Sequence, residues 1–188
     1  MTWTPKPLPL HWPIQLPDGS KLETLNLRPF TVDEHRAAIA RAGDDEDARF
    51  EELAVLATGL TLETIEELKR PDYVSLSAWL AEYVNQPAYF FTGKKPENPD
   101  DVPLLVPIRS FGQTVDRIRL QVPTMKATKV MTAEKDPLKA ADFISSHCTG
   151  IAPNDIVKLS LPDWTQLQWR LADFLNKPAD YFRNATSK

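Results

Sequence analysis

Cysteine is almost absent from this 188-residue sequence, which contains only Cys148. A single cysteine excludes an intramolecular disulfide and suits a reducing compartment. Long apolar runs are missing as well, since none approaches the roughly 18 residues that a membrane-spanning helix needs. Prolines interrupt the N-terminal residues 1–12, which therefore lack the apolar core of a signal peptide. These absences predict a soluble, cytoplasmic protein with no membrane partner.

Residues suited to catalysis or metal binding are also few. The three histidines, His11, His35 and His147, have no partners at the spacing typical of a zinc site. His147 and Cys148 are adjacent, and neighbouring residues on a helix do not face each other, so they form a poor nucleophile and base. Gly93-Lys94-Lys95 lacks the spacing of a phosphate-binding loop. The sequence therefore predicts no catalytic residue, no metal, no cofactor and no enzyme activity.

Clusters of positive charge do not occur either. The net charge is −4, and lysine and arginine form nothing longer than short groups such as Lys94-Lys95. Neutralising phosphates supplies most of the non-specific affinity for nucleic acid, and it requires a basic face. Nucleic acid is therefore excluded as an expected partner.

An internal duplication is the strongest pattern that the sequence does contain. When residues 58–91 are placed on residues 149–182, 13 of 34 positions are identical without a gap. The N-terminal parts match with a shift of 93 or 94, which pairs Pro13-Ile14 with Pro107-Ile108 and Thr31 with Thr124. Fixed-period similarity of this kind indicates a repeated structural unit. We expect a first repeat at 1–92, a linker at 93–103 and a second repeat at 104–188.

Each repeat begins with the pattern of a β-hairpin. In the first, Leu10, Trp12, Ile14 and Leu16 alternate with other residues, which predicts a strand with one apolar face. Asp18-Gly19 is a turn signal, and a second apolar strand follows it. In the second repeat the same features recur around Gly112. Prolines within these strands, Pro13 and Pro107, predict edge strands because proline cannot donate a ladder hydrogen bond.

Helical patterns follow each hairpin. Thr31 and Glu34 fit a capping box, in which each side chain accepts from a free amide at the helix start. Asp72 and Asp163, which follow prolines in both repeats, are predicted N-caps of the last long helix. Each unit is thus a β-hairpin followed by three or four helices, and the fold class is α+β.

Three aromatic residues are candidates for binding a partner: Trp79, Trp169 and Phe111. Trp169 lies on the helix face opposite the apolar stripe, and its counterpart in the first repeat is Ala78. Exposed aromatic side chains of this kind are common anchors of interfaces. Packing of Trp169 against the other repeat is the equally weighted alternative.

The repeated residues resemble the tail assembly chaperone family of contractile-tailed and Mu-like phages. The resemblance depends on Thr58-Gly59, Ile65, Leu68, Pro71-Asp72 and Leu76, on their counterparts in the second repeat, and on the junction at residues 27–33. The second repeat departs from this pattern at Gln121-Val122-Pro123-Thr124, which lacks the arginine of the first.

The resemblance implies a non-enzymatic protein that binds the helical tape measure protein and keeps it soluble during tail assembly. Such a protein acts in the host cytoplasm and is not expected in the mature virion. It would hold an amphipathic helix in a groove, and the tandem repeat would act as a pre-linked dimer. Self-association stays open, and the alternative function is a structural virion component, either a tail tube or an adaptor protein.

Overall fold

The computed structural model describes residues 3–183, which form two β-hairpins, each followed by helices. The first repeat contains β1 (Leu8–Gln15), β2 (Lys21–Leu25), α1 (Val32–Ala42), α2 (Glu46–Thr58), α3 (Leu62–Glu66), α4 (Arg70–Asn85) and α5 (Ala88–Thr92). The second contains β3 (Asp101–Ser110), β4 (Gln113–Arg119), α6 (Met125–Ala133), α7 (Pro137–Thr149), α8 (Pro153–Ile156), α9 (Leu161–Asn176) and α10 (Ala179–Arg183). The predicted α+β class is confirmed. Each hairpin precedes five helical segments, because a short helix follows Pro87 and Pro178 in addition to those expected.

Both hairpins are antiparallel and carry the same large bulge. In β1, the five-residue step from Pro9 to Ile14 opposes a two-residue step in β2, from Thr24 to Leu22. The second hairpin repeats this shift between Pro103 and Ile108. The bulge corrects one expectation: Leu10 and Ile14 are buried, but Trp12 is 44% exposed because it lies where the alternation of the strand is broken.

Strand β3 begins inside the segment that was predicted to be a linker. Residues 101–103 pair with β4, and Val102 is buried in the core of the second repeat. The sequence around the start of β3 is polar and contains prolines, so its pattern did not predict a strand there. Residues 101–103 of the expected linker therefore belong to β3, and the polar stretch before this strand ends at Asp100.

Two apolar cores form, one in each repeat, and the start of α9 joins them. The first core is built around Phe30, Leu76 and Tyr83, and it includes Leu161 of the second repeat. Val157 and Trp164 of the second repeat contact both cores. The repeats therefore pack directly on one another. Within residues 3–183, no helix is long and apolar enough to span a membrane.

The helix starts agree with the sequence at one position and differ at two. Thr31 is the N-cap of α1, and a complete capping box joins it to Glu34. The N-cap of α4 is Lys69 and that of α9 is Ser160, so the prediction that Asp72 and Asp163 are N-caps is wrong. Both helices begin one turn earlier, because a proline at the second helical position suits the first turn. The two aspartates consequently occupy the third helical position.

Candidate functional site

Asp72 and Asp163 each hold the bulge of their own hairpin. The Asp72 carboxylate accepts the backbone amides of His11 and Trp12, at 3.0 Å each. Asp163 likewise accepts from Leu105 at 2.7 Å and Val106 at 3.1 Å. A bulge leaves amides without ladder partners, and these carboxylates supply the missing acceptors. The repeated aspartate is thus a structural anchor between helix and hairpin.

The Asp163 carboxyl is the more deeply buried of the two. Burial raises the pKa of Asp163 to about 6, against the opposing effect of its hydrogen bonds from Ser160, Leu105 and Val106. The Ser160 hydroxyl lies 2.6 Å from one carboxylate oxygen. Every buried polar atom of the described side chains, including those of Asp163, has a hydrogen-bond partner within the protein.

The start of α1 and the segment before α9 form the first contact between the repeats. The backbone amides of Val32 and Asp33 donate to the carbonyl oxygens of Leu159 and Val157, at 3.0 Å each. These amides belong to the first helical turn and have no acceptor within their own helix. The segment at residues 157–164, which we call the inserted segment, therefore completes the N-terminus of α1.

Charged and aromatic side chains reinforce this contact. Arg36 of α1 forms a two-point ion pair with Asp142 of α7, at 2.8 and 2.9 Å, and its guanidinium lies 5.5 Å from the ring centroid of Trp164. Tyr83 of the first core is fully buried. Its hydroxyl accepts from the Phe30 amide and donates to the Phe30 carbonyl, at 3.0 Å each. Burial raises the pKa of the Tyr83 hydroxyl.

Helices α4 and α5 extend the interface along α9. The Tyr89 amide donates to the side-chain oxygen of Gln166 at 3.0 Å, and the Thr165 hydroxyl donates to the Val84 carbonyl at 3.4 Å. The first repeat makes these contacts through α1, the end of α4 and α5. We call this surface, which includes Val32, Tyr83, Pro87 and Ala88, the holding surface.

The repeats use different faces for this interface. Residues buried on the holding surface have counterparts that are exposed or half-buried in the second repeat: Val32 against Met125, Tyr83 against Phe174, Pro87 against Pro178 and Ala88 against Ala179. The inserted segment shows the reverse at three consecutive buried residues, whose counterparts in the first repeat are exposed: Ser160 against Lys69, Leu161 against Arg70 and Pro162 against Pro71. Such an interface is heterologous, and it leaves the second repeat's version of the holding surface uncovered.

The three aromatic residues proposed from the sequence lie in different surroundings. Trp79 is half-buried and stacks on Tyr83 with ring centroids 5.1 Å apart. Trp169 is 50% exposed on α9, and Phe111 is 78% exposed at the β3–β4 turn, where its φ is 48°. No ring contact joins any two of them in the described chain. Their role in binding a partner stays a prediction.

A groove of about 760 Å³ lies beside the linker and was not expected from the sequence. Trp3, Tyr89 and Leu105 form part of its wall, and Lys95 lies over the Tyr89 ring at 5.8 Å. Arg117, also in the wall, is paired with Asp101 at 3.1 Å. The groove combines linker residues with both repeats, so only the folded chain could create it.

The region around His147 and Cys148 is arranged as ordinary helix packing. Cys148 is fully buried, and burial raises the pKa of its thiol to about 11, which keeps it protonated at neutral pH. A reactive cysteine needs a low pKa and access to solvent. The His147 ring is stacked on Phe143, with centroids 6.1 Å apart. Among residues 3–183, no group of three or more His, Cys, Asp or Glu could hold a metal ion.

Comparison with known families gives two matches within this chain. The family model described as phage tail assembly chaperone proteins, E, or 41 or 14, matches residues 8–85 and again residues 101–176. The two matched ranges correspond to the two repeats and agree with a tandem duplication. No curated protein and no solved structure matches the chain.

Proposed function

Because the chain belongs to the phage tail assembly chaperone family, we propose that it binds the helical tape measure protein and keeps it soluble during tail assembly. The family match in both repeats is the observation that carries this proposal. The proposed site of action is the host cytoplasm, and the protein would be absent from the mature virion. A chaperone of this kind works by binding and needs no catalytic residue.

The distribution of exposed apolar side chains supports a binding role. Large apolar residues that are exposed occur mainly in the second repeat: Phe111, Val122, Met125, Val130, Leu138, Phe143, Trp169 and Tyr181. Among its described residues, which begin at position 3, the first repeat has four: Trp12, Leu62, Val74 and Phe90. Apolar residues concentrated on one part of a surface mark interaction sites. We therefore assign the main contact with the partner to the second repeat.

Packing between the repeats supports different roles for the two repeats in binding. The first repeat holds the inserted segment of the second, so part of its own surface is already covered. The linked pair then presents one binding unit, and no part of the binding free energy is spent on bringing two separate copies together.

Co-expression with the tape measure protein of the same phage tests the proposal. We expect the soluble fraction of the tape measure protein to rise and a complex of the two proteins to copurify through a tag on the chaperone. The tail tube protein of that phage, co-expressed in the same way, is the control that should not copurify. An insoluble tape measure protein with no complex would refute the proposal.

Mass spectrometry of purified phage particles separates this function from that of a virion component. A chaperone should be missing from the particles, whereas a tube or adaptor protein would be present in stoichiometric amounts. Stoichiometric recovery of this chain would favour the structural alternative.

A further inference from the structure

The second repeat has an uncovered surface whose counterpart in the first repeat is filled. We propose that this surface binds the first turn of an amphipathic helix carrying apolar and aromatic side chains together with an acidic residue. The open surface is defined by Met125, Lys126, Lys129, Phe174 and Leu175. The identification of that helix as part of the tape measure protein rests on the proposed function. The position of the surface rests on the comparison of the two repeats.

The inserted segment shows what such a surface accepts. Leu161 enters the core of the first repeat, and Val157 and Trp164 pack against the same core. The carbonyls of Leu159 and Val157 accept the first amides of α1. The occupant of the counterpart surface is therefore a helix start with apolar side chains and free backbone carbonyls before it.

The open surface offers equivalent groups in the second repeat. Thr124 is the N-cap of α6 as Thr31 is of α1, so Met125 and Lys126 stand where Val32 and Asp33 stand in the first repeat. Met125 is 71% exposed, whereas Val32 is only 3% exposed under the inserted segment. Phe174 and Leu175, at the end of α9, are half-buried. An apolar partner segment would cover these side chains as Val157 and Leu161 cover the first repeat.

Charge defines the partner further. The counterpart of Arg36, which pairs with Asp142 across the repeat interface, is Lys129. Lys129 and Lys126 are exposed, and neither forms an ion pair within residues 3–183. Two unpaired lysines next to an apolar surface favour a partner that carries acidic residues.

A second copy of this chain fits the open surface poorly. Its inserted segment is already buried against its own first repeat, so only the counterpart segment at residues 66–73 would be free. That segment has Glu66, Lys69 and Arg70 at the positions of Val157, Ser160 and Leu161. Burying Lys69 and Arg70 against a surface that already carries Lys126 and Lys129 would bring like charges together, which is costly. The occupant is therefore a helix of another protein.

Charge substitutions in the full chain test the surface. Met125→Glu and Lys129→Glu should each reduce the amount of tape measure protein captured by the tagged chain by about tenfold or more. The matched controls are Val74→Glu, at an apolar residue of α4 that is 50% exposed, and Lys21→Glu, at an exposed lysine of β2. Both controls should capture as much as the unmodified chain. Thermal unfolding of all four variants verifies that each is folded.

The outcomes separate the surface from the function. If the unmodified chain captures the tape measure protein and neither Met125→Glu nor Lys129→Glu reduces that capture, the proposed surface is wrong and the proposed function stands. Failure of the unmodified chain to capture the tape measure protein would overturn the function and, with it, the partner. Light scattering tests whether the occupant is a second copy of this chain. If the unmodified chain is a dimer and Met125→Glu is a monomer, the occupant is a second copy and the partner assignment is overturned.

Discussion

At the scale of single residues, the repeated aspartates have the clearest physical role. Asp72 and Asp163 lie on a helix but satisfy amides on a strand, so each connects two elements that are distant in sequence. The environments differ, because the Asp163 site encloses the buried Leu105 amide, whereas His11 and Trp12 are exposed beside Asp72. The same carboxylate therefore carries a larger cost of burial in the second repeat.

The raised pKa of Asp163 predicts an unusual pH dependence of stability. In the unfolded chain an aspartate has a pKa near 3.9, and in the folded chain burial raises the pKa of Asp163 to about 6. Between roughly pH 4 and pH 6 the folded state binds more protons at this group, so its contribution to the free energy of unfolding falls as pH rises. Asp163→Asn removes this dependence. We expect the stability of the unmodified chain relative to this variant to fall by about 2–3 kcal/mol from pH 4 to pH 7.

Urea unfolding of both proteins at several pH values measures this difference. Glu82→Gln, at an exposed residue of α4, is the control and should leave the profile of the unmodified chain unchanged. Parallel profiles for the unmodified chain and Asp163→Asn would contradict the prediction.

At the scale of elements, each hairpin depends on the helix that it contacts. An isolated two-stranded hairpin is marginally stable in water, and the bulges remove part of the ladder. Contacts of β1 with α4 and of β3 with α9, together with the aspartate anchors, hold the strands in place. The fold of each repeat thus depends on contacts between its hairpin and its helices.

Removing one anchor should loosen one hairpin. Asp72→Ala leaves the amides of His11 and Trp12 without acceptors, and we expect it to lower the free energy of unfolding by about 1–3 kcal/mol. Amide hydrogen exchange should accelerate at His11 and Trp12, whereas exchange at Leu105 and Val106 should change less. Glu82→Ala on the same helix provides the control. Unchanged exchange at the two β1 amides would show that Asp72 does not hold the bulge.

At the scale of the whole molecule, the heterologous interface determines which surfaces remain available. The holding surface is filled by the inserted segment, and the equivalent surface of the second repeat is open. The two repeats are similar in fold, but they therefore differ in which of their surfaces is exposed. The counterpart segment of the first repeat, residues 66–73, carries exposed charged residues, among them Lys69 and Arg70.

Exchanging residues between counterpart positions tests this asymmetry. Leu161→Arg places a charge in the first core and should lower the free energy of unfolding by about 3 kcal/mol or more. The reciprocal change, Arg70→Leu, is at an exposed position and removes only the contact of the guanidinium with the Tyr73 ring, 5.1 Å from its centroid. It should alter stability by no more than about 1 kcal/mol. Chemical denaturation of both variants measures the two effects. Equal effects would indicate that the repeats do not pack through the inserted segment.

Several features of this fold were predictable because they depend on local sequence. The Thr31-x-x-Glu34 capping box follows from side chains three residues apart, and it appears as expected. Gly59 and Gly150 end α2 and α7 with φ near 70°, a conformation that favours glycine. The exposure of Trp12 was missed, since the alternation of β1 gave no sign of the bulge. The anchoring role of the aspartates was missed as well, because the backbone amides that donate to them lie about 60 residues away.

By itself, the sequence determined the repeated unit, its α+β class and its family, since caps, turns and apolar periodicity act over short distances and recur in both halves. Only the tertiary structure decided which face of each repeat is covered. Val32 and Met125 occupy the same position in their repeats, yet one is buried and the other exposed. That difference arises from how the second repeat docks on the first, and contacts between distant segments create it. The local pattern around either residue contains no information about this docking.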